Sequence, residues 1–477
     1  MANIRSNQHA LLSPMARKMS EDQCRNLYWA CLEILERTGV CLHEQAAVDL
    51  FKKAGAMVSD GNRVRIPAGM VEKALGTVPR KINFCDRNGN RAMQVGGHRS
   101  YFGTGSDCLH IIDHRTGQRR KAVLQDIVEG MTLCDALDHI DFVMCMFLPS
   151  DVPQEKLDRY EMEAMLNHTT KPIVYVTTEF SGCKDAVTMA EIVAGGADQL
   201  RQRPFAACYI NVTTGLRHNG EALQKLLYLS GKGLPFTYIP SAQGGVTAPM
   251  TIAGTMAVNN AGVLAGLVLS QLNNEGAPFI MPGWGGNMLD MKTTTQPYAD
   301  PGKRGQAIDF AHFLGLPTFS LAGCSESKVM DQQASAEAAL TLFTDALFGG
   351  NLVHDVGYLE SGLSGSLPQL VICDEILSWL DAFMHPIEIS DETLCLDLID
   401  QVGPDGQYLD HPHTMEHFRE RWYPGIFDRS NHASWQKKGA KNLGERATEK
   451  VDKILADHKP EPLAPDVAKA VHAVIEG

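Results

Sequence analysis

Eight short segments hold most of the residues in this chain that could bind or react. They read GTGSD (103–107), FLPSD (147–151), TTEF (177–180), NVTTG (211–215), SAQGG (241–245), GWGGN (283–287), AGCSESK (322–328) and HDVGYLESG (354–362). Aromatic residues lie in or near them: Phe147, Tyr175, Phe180, Tyr209, Tyr238, Trp284 and Tyr358. A quaternary ammonium group makes no hydrogen bonds and is held by the faces of aromatic rings. This set therefore suits such a cation. Trp284 is the best cage candidate, because glycines flank it in a loop where packing needs would not select tryptophan. About half of the set must pack structurally instead, since strand residues alternate between two faces.

Glycine clusters in the same segments, at Gly105, Gly244, Gly245, Gly285 and Gly286. Glycine lets the chain turn sharply or lets another group come close. Ordinary turn chemistry explains any one pair; together they suggest a flat rim that a large planar group could cover. His354 beside Asp355 forms a pair whose members can orient each other. An alternative acid–base set, for a lyase or hydrolase, is Asp107, Glu179, His354 and Glu360. The twelve cysteines include no C-x-x-C, and Cys208 and Cys324 stand alone near their segments. A zinc site needs several convergent ligands, so none is expected.

Each segment follows a short apolar run and precedes a helical pattern. The runs are Ser100–Gly103, Phe142–Leu148, Pro172–Thr178, Pro204–Val212, Pro235–Pro240, Pro278–Pro282, Pro317–Leu321 and Asn351–His354. Five begin with proline, where a missing N–H matters least. Strands alternating with helices imply parallel pairing. Eight such units predict an α/β fold, a closed (β/α)8 TIM barrel with its site at the C-terminal strand ends. No G-x-G-x-x-G follows the first clear strand, which removes the main support for a dinucleotide-binding open sheet. Residues 1–98, with helical patterns over Glu21–Thr38 and Glu44–Ala54 and a polar hairpin over Lys81–Gly97, read as an N-terminal extension. Residues 99–384 read as the barrel, and residues 385–477 as a C-terminal extension packed on it.

The chain has 477 residues, 44% hydrophobic and 21% charged, with a formal net charge of −13. Those proportions are those of a soluble globular protein, and the negative charge argues against nucleic-acid binding. Scattered single cysteines and a polar N-terminus (MANIRSNQHALLSPMARK) predict a reducing, cytoplasmic location. Met250–Leu272 is long and apolar enough to span a membrane. Mid-segment Asn259 and Asn260, and the lack of basic flanks, favour a helix buried on both sides. Its second face would meet a neighbouring subunit, hence a homo-oligomer, or a terminal extension.

GCSESKVMDQQASAEAAL (323–340), NLVHDVGYLESGLSGSLPQLVICDEI (351–376) and YLDHPHTMEHFRERWYPGIFDR (408–429) resemble the trimethylamine methyltransferase family, over most of the chain. Founding members use pyrrolysine, whereas this sequence has only standard residues, so it resembles the non-pyrrolysine branch. The resemblance implies methyl transfer from a small quaternary amine, glycine betaine foremost, to the Co(I) of a corrinoid on a separate protein. No D-x-H-x-x-G, a motif that supplies a cobalt ligand, occurs here, so no tightly bound cofactor is expected. The glycine rim would then face the corrinoid. A betaine would need donors for its carboxylate: Lys328, His354, Gln243, Asn211 or Asn287. Lys328 could equally form a salt bridge with Glu326 or Asp331, and Glu360 could instead tie the eighth loop down. A betaine-binding protein without turnover is the remaining alternative.

Overall fold

A computed structural model describes residues 14–477, so most of the N-terminal stretch read for a signal lies outside the described residues. Eight parallel segments close into a barrel. They are β1 (Tyr101–Phe102), β2 (142–143), β3 (Ile173–Val176), β4 (Ala206–Val212), β5 (Phe236–Pro240), β6 (Phe279–Pro282), β7 (Thr318–Leu321) and β8 (Leu352–His354). Hydrogen bonding runs from β3 through β4, β5, β6, β7 and β8 to β1. Single parallel bridges, Gly103 to Phe142 and Val143 to Ile173, place β2 between β1 and β3 and close the ring. The fold is a TIM barrel.

Helices follow the strands in turn: α1 (Leu124–Ala136), α2 (Leu157–His168), α3 (Phe180–Ala194), α4 (Gly220–Lys232), α5 (Ile252–Asn273), α6 (Gln306–Leu314), α7 (Gln332–Phe348) and α8 (Leu367–Met384). Alternation along the strands sorts side chains into two cores. In β4, Ala207 and Tyr209 point into the barrel, while Cys208, Ile210 and Val212 pack under the helices. Tyr101, Phe142, Val174, Ile239, Ile280, Phe319 and Leu352 fill the interior.

An antiparallel hairpin, Ile82–Cys85 with Arg91–Val95, adds Ile82, Phe84, Met93 and Val95 to that interior core. Its backbone is fixed by Cys85 N–H donating to Pro204 and Arg87 N–H donating to Thr170, both just before strands β4 and β3. The hairpin therefore plugs the N-terminal end of the barrel.

The apolar segment is α5, and most of it is buried within this chain. One side lies on β5 and the other under N-terminal helices Glu21–Glu33, Gln45–Lys53 and Ala68–Thr77. Its second face is thus covered by the N-terminal extension, one of the two alternatives left open for it. Close approach depends on glycine: a Cβ on Gly262 would overlap the Gly215 carbonyl, and one on Gly266 would overlap the Tyr238 ring. Residues before the barrel also form three short strands, Val40–Leu42, Met57–Ser59 and Arg63–Arg65, which join Arg217–His218 in a small sheet. Helix Leu443–Asp457 lies on α8 and α1, burying Ala447 and Val451, and Pro465–Glu476 lies on α2 and α3.

Candidate active site

Four rings meet inside the barrel near its C-terminal mouth. Tyr209 comes from β4, Phe319 from β7, His354 from the end of β8, and Trp284 from the second position after β6. His354 and Phe319 have ring centroids 4.3 Å apart, Trp284 and His354 5.7 Å, and Tyr209 and Phe319 5.5 Å. The interior position of these residues follows from strand alternation, which directs them to one face. Trp284 is only 8% exposed, and Tyr209 is half-buried.

His354 Nδ1 lies 2.6 Å from the Ser320 carbonyl oxygen. A carbonyl can only accept, so Nδ1 carries the proton and Nε2 turns to Asp355, 3.5 Å away. Burial pushes the Asp355 carboxyl up, helped by the like charge of Asp107 and opposed by His354 and Arg304. Asp107 is also pushed up by burial, against a 2.6 Å hydrogen bond from the Ser106 hydroxyl and the nearby His354. Solvent reaches Asp107 from the open side, while protein walls it in elsewhere. Burial and the two aspartates raise the Tyr209 phenol in turn. Asp355 (φ 74°) and Met146 (φ 67°) hold left-handed backbone conformations beside this cluster. Such strain in non-glycine residues collects at functional sites.

Residues 283–305 form a long loop after β6 that borders the mouth. Trp284, Asn287, Gln296, Tyr298, Lys303 and Leu321 line a cleft beneath it. Arg304 pins the loop by donating to the Tyr298 and Leu321 carbonyls, with Asp345 3.5 Å from its guanidinium. Glu326 holds it from the next loop, accepting from Ala299 N–H at 2.6 Å. The Tyr298 ring lies against Gly362. Lys303 Nζ donates to the Pro297 carbonyl at 2.8 Å, and burial pushes its ammonium down to about 8.

Several residues named from sequence face elsewhere. Tyr175 points outward from β3, its phenol among Cys208, Cys183 and Tyr228 under the helices. Tyr238 also faces outward, with its hydroxyl 2.8 Å from His218. Phe180 packs edge-on against Tyr228. Phe147 is fully buried against Gly365. Tyr358 donates to the Met146 carbonyl at 2.6 Å and fastens the second loop to the eighth. Glu360 accepts from Arg119 at 2.8 Å and Ser364 at 2.6 Å, so it ties down the eighth loop.

Lys328 is exposed and donates to the Glu326 carbonyl, away from the cleft, and forms neither side-chain salt bridge considered for it. Asn211 follows Tyr209 on the inward register and is open to solvent. Gln243 pairs in register with Asn287, joining the fifth and sixth loops.

The glycines do not make a flat rim. Gly105 is buried where a Cβ would overlap Asp355, and Gly244 sits against Met288 and Thr255. Gly285 meets Met256, and Gly286 (φ 96°) meets Thr255; of the five, only Gly245 is exposed, beside Met250. Gly244, Gly285 and Gly286 seat the fifth and sixth loops on the start of α5, while Gly105 admits Asp355 and Tyr358 of the eighth loop. The acid–base set also disperses, since Glu179 is exposed at the start of α3 and Glu360 is ion-paired. Sequence reading missed Phe319, Tyr298 and Lys303. Phe319 had a usable signal, because alternation within its strand would have turned it inward.

A solved structure titled as a hydroxylamine MtmB complex superposes with a TM-score of 0.51 at 12% identity, covering 92% of this chain and 88% of that one. That likeness concerns the fold. A protein named trimethylamine methyltransferase MttB from Desulfitobacterium hafniense (strain DSM 10664 / DCB-2) is 32% identical over 96% of this chain and 93% of its own length. A glycine betaine methyltransferase from Desulfitobacterium hafniense (strain Y51) is 28% identical, over 97% of each. The trimethylamine methyltransferase (MTTB) family profile matches residues 4–476. With that match spanning nearly the whole chain on a shared barrel fold, the chain belongs to the trimethylamine methyltransferase family.

Proposed function

We propose that this methyltransferase takes a methyl group from a quaternary amine, glycine betaine first among them, and passes it to a corrinoid carried by a separate protein. The observation that carries this reading is the ring cluster of Tyr209, Trp284, Phe319 and His354 at the barrel mouth. Aromatic faces hold a trimethylammonium group without needing hydrogen bonds. Relatives named for glycine betaine and for trimethylamine are both similar along most of their length, so the choice of a quaternary amine rests on the ring cluster and on a sequence of standard residues only.

The chemistry asks little of acids or bases. The carbon–nitrogen bond breaks with its electron pair remaining on nitrogen, and a neutral tertiary amine leaves. The corrinoid, as acceptor, supplies the electron pair for the new bond to carbon. No proton moves, so the protein's contribution is alignment and exclusion of water. A fully charged carboxylate beside the ammonium would favour the ground state over the transition state. Burial shifts both Asp107 and Asp355 toward their neutral forms, which lessens that penalty.

The mouth also suits a protein-borne acceptor. Leu109, Val246, Met291, Val329 and Leu363, from the first, fifth, sixth, seventh and eighth loops, are each 47–65% exposed. A ring of exposed apolar side chains around a site is what a docking partner covers. This apolar ring takes the place of the expected glycine surface. With reduced free cobalamin as acceptor, glycine betaine should yield methylated cobalamin slowly, and trimethylamine should not. Spectra showing no methylated product with any of several quaternary amines would sink the reading.

A further inference from the structure

We propose that Lys303 binds an anionic group at the end of the substrate remote from the transferred methyl, making this site selective for betaines over simple tetraalkylammonium ions. The inference rests on the methyl-transfer reading above. Lys303 ends a short turn, Pro301–Lys303, just before α6, and lines the same cleft as Trp284, Asn287 and Tyr298. Around the rings, Arg304 and Asp345, which also line the cleft, face each other, and the remaining charges are segregated. Asp107 and Asp355 approach from the first and eighth loops, and Lys303 from the sixth. A zwitterion with its ammonium on the rings and its carboxylate toward the sixth loop matches that layout.

The nearby carboxylates are already engaged. Asp300 accepts from Gly302 N–H at 2.7 Å, and Glu326 from Ala299 N–H at 2.6 Å. Arg304, next in sequence, is committed to Asp345 and two backbone carbonyls. Among the described residues, Lys303 Nζ has one hydrogen bond, to Pro297, and no carboxylate at ion-pair distance. An ammonium carries three donors, so two remain for a ligand. Burial, with repulsion from Arg304, pushes its ammonium down to about 8, even though Asp300 and Glu326 attract it from beyond ion-pair distance. An incoming carboxylate would oppose that push. Lys328, the lysine that sequence suggests for this role, is directed away from the cleft.

Calorimetric titration of the full chain with glycine betaine and with tetramethylammonium separates the possibilities without an acceptor. In Lys303→Met the ratio of betaine to tetramethylammonium affinity should fall at least tenfold, and Lys303→Arg should restore most of it. Betaine affinity of the unmodified protein should decline as pH rises through about 8, because binding needs the protonated ammonium, while tetramethylammonium affinity should not decline with it. An unchanged ratio in Lys303→Met, or an equal loss for both ligands, overturns the role of Lys303 alone. Failure of the unmodified protein to bind either cation overturns the quaternary-amine reading itself.

Discussion

Trp284 shows how little separates a binding residue from a packing one. It lies 5.7 Å from His354 and 6.5 Å from Phe319, with one side closed by those rings and the other on the cleft. Replacing it with alanine should weaken glycine betaine binding by about 1–2 kcal/mol, the range for a desolvated cation–π contact. Calorimetry on Trp284→Ala measures this directly, and an unaltered affinity would assign the indole to packing. The indole was legible in sequence because glycines flank it. Tyr175 and Tyr209 were not separable there: both sit mid-strand among apolar neighbours, and only register decides which faces the barrel axis. Tyr298 and Lys303 were harder still. Their loop reaches the site through Arg304 and Glu326, whose partners are distant in sequence or are backbone carbonyls.

At the scale of elements, the runs read as strands correspond closely to those observed. Parallel strands covered on both faces carry near-continuous apolar runs, and proline marked the beginning of five of them. The weakest is β2, joined to its neighbours by single bridges and followed by left-handed Met146. The three-residue strands before the barrel escaped notice because each is too short to show alternation; Met57–Ser59 and Arg63–Arg65 pair as a local hairpin, while Val40–Leu42 has a distant partner, with Cys41 opposite Arg217. For α5, sequence showed an all-apolar helix but not what covers it. The structure also gives its glycines a reason, since Gly266 lets the helix lie on Tyr238, whose hydroxyl meets His218. Gly266→Ala should therefore cost about 1–3 kcal/mol through overpacking, despite alanine's better helix propensity. Chemical denaturation of the variant checks this. A stability equal to or above the parent's would mean that the helix can shift at no cost.

For the whole molecule, the barrel was readable from eight repeated units, but the position of the hairpin Ile82–Cys85 with Arg91–Val95 was not. Its polar, turn-rich sequence resembles a surface excursion. Only in three dimensions do Ile82, Phe84, Met93 and Val95 enter the barrel core. Among the described residues, that plug closes the N-terminal end of the interior, which leaves the well open toward the side where the proposed acceptor docks. Kinetic order follows from that geometry. The amine donor has to enter before the acceptor covers the mouth, and the demethylated amine leaves only after the acceptor departs. Steady-state rates should thus show compulsory-order binding, with excess unmethylated acceptor protein inhibiting competitively against the amine. An acceptor concentration series at several glycine betaine levels tests this, and random-order patterns would require a second route into the well.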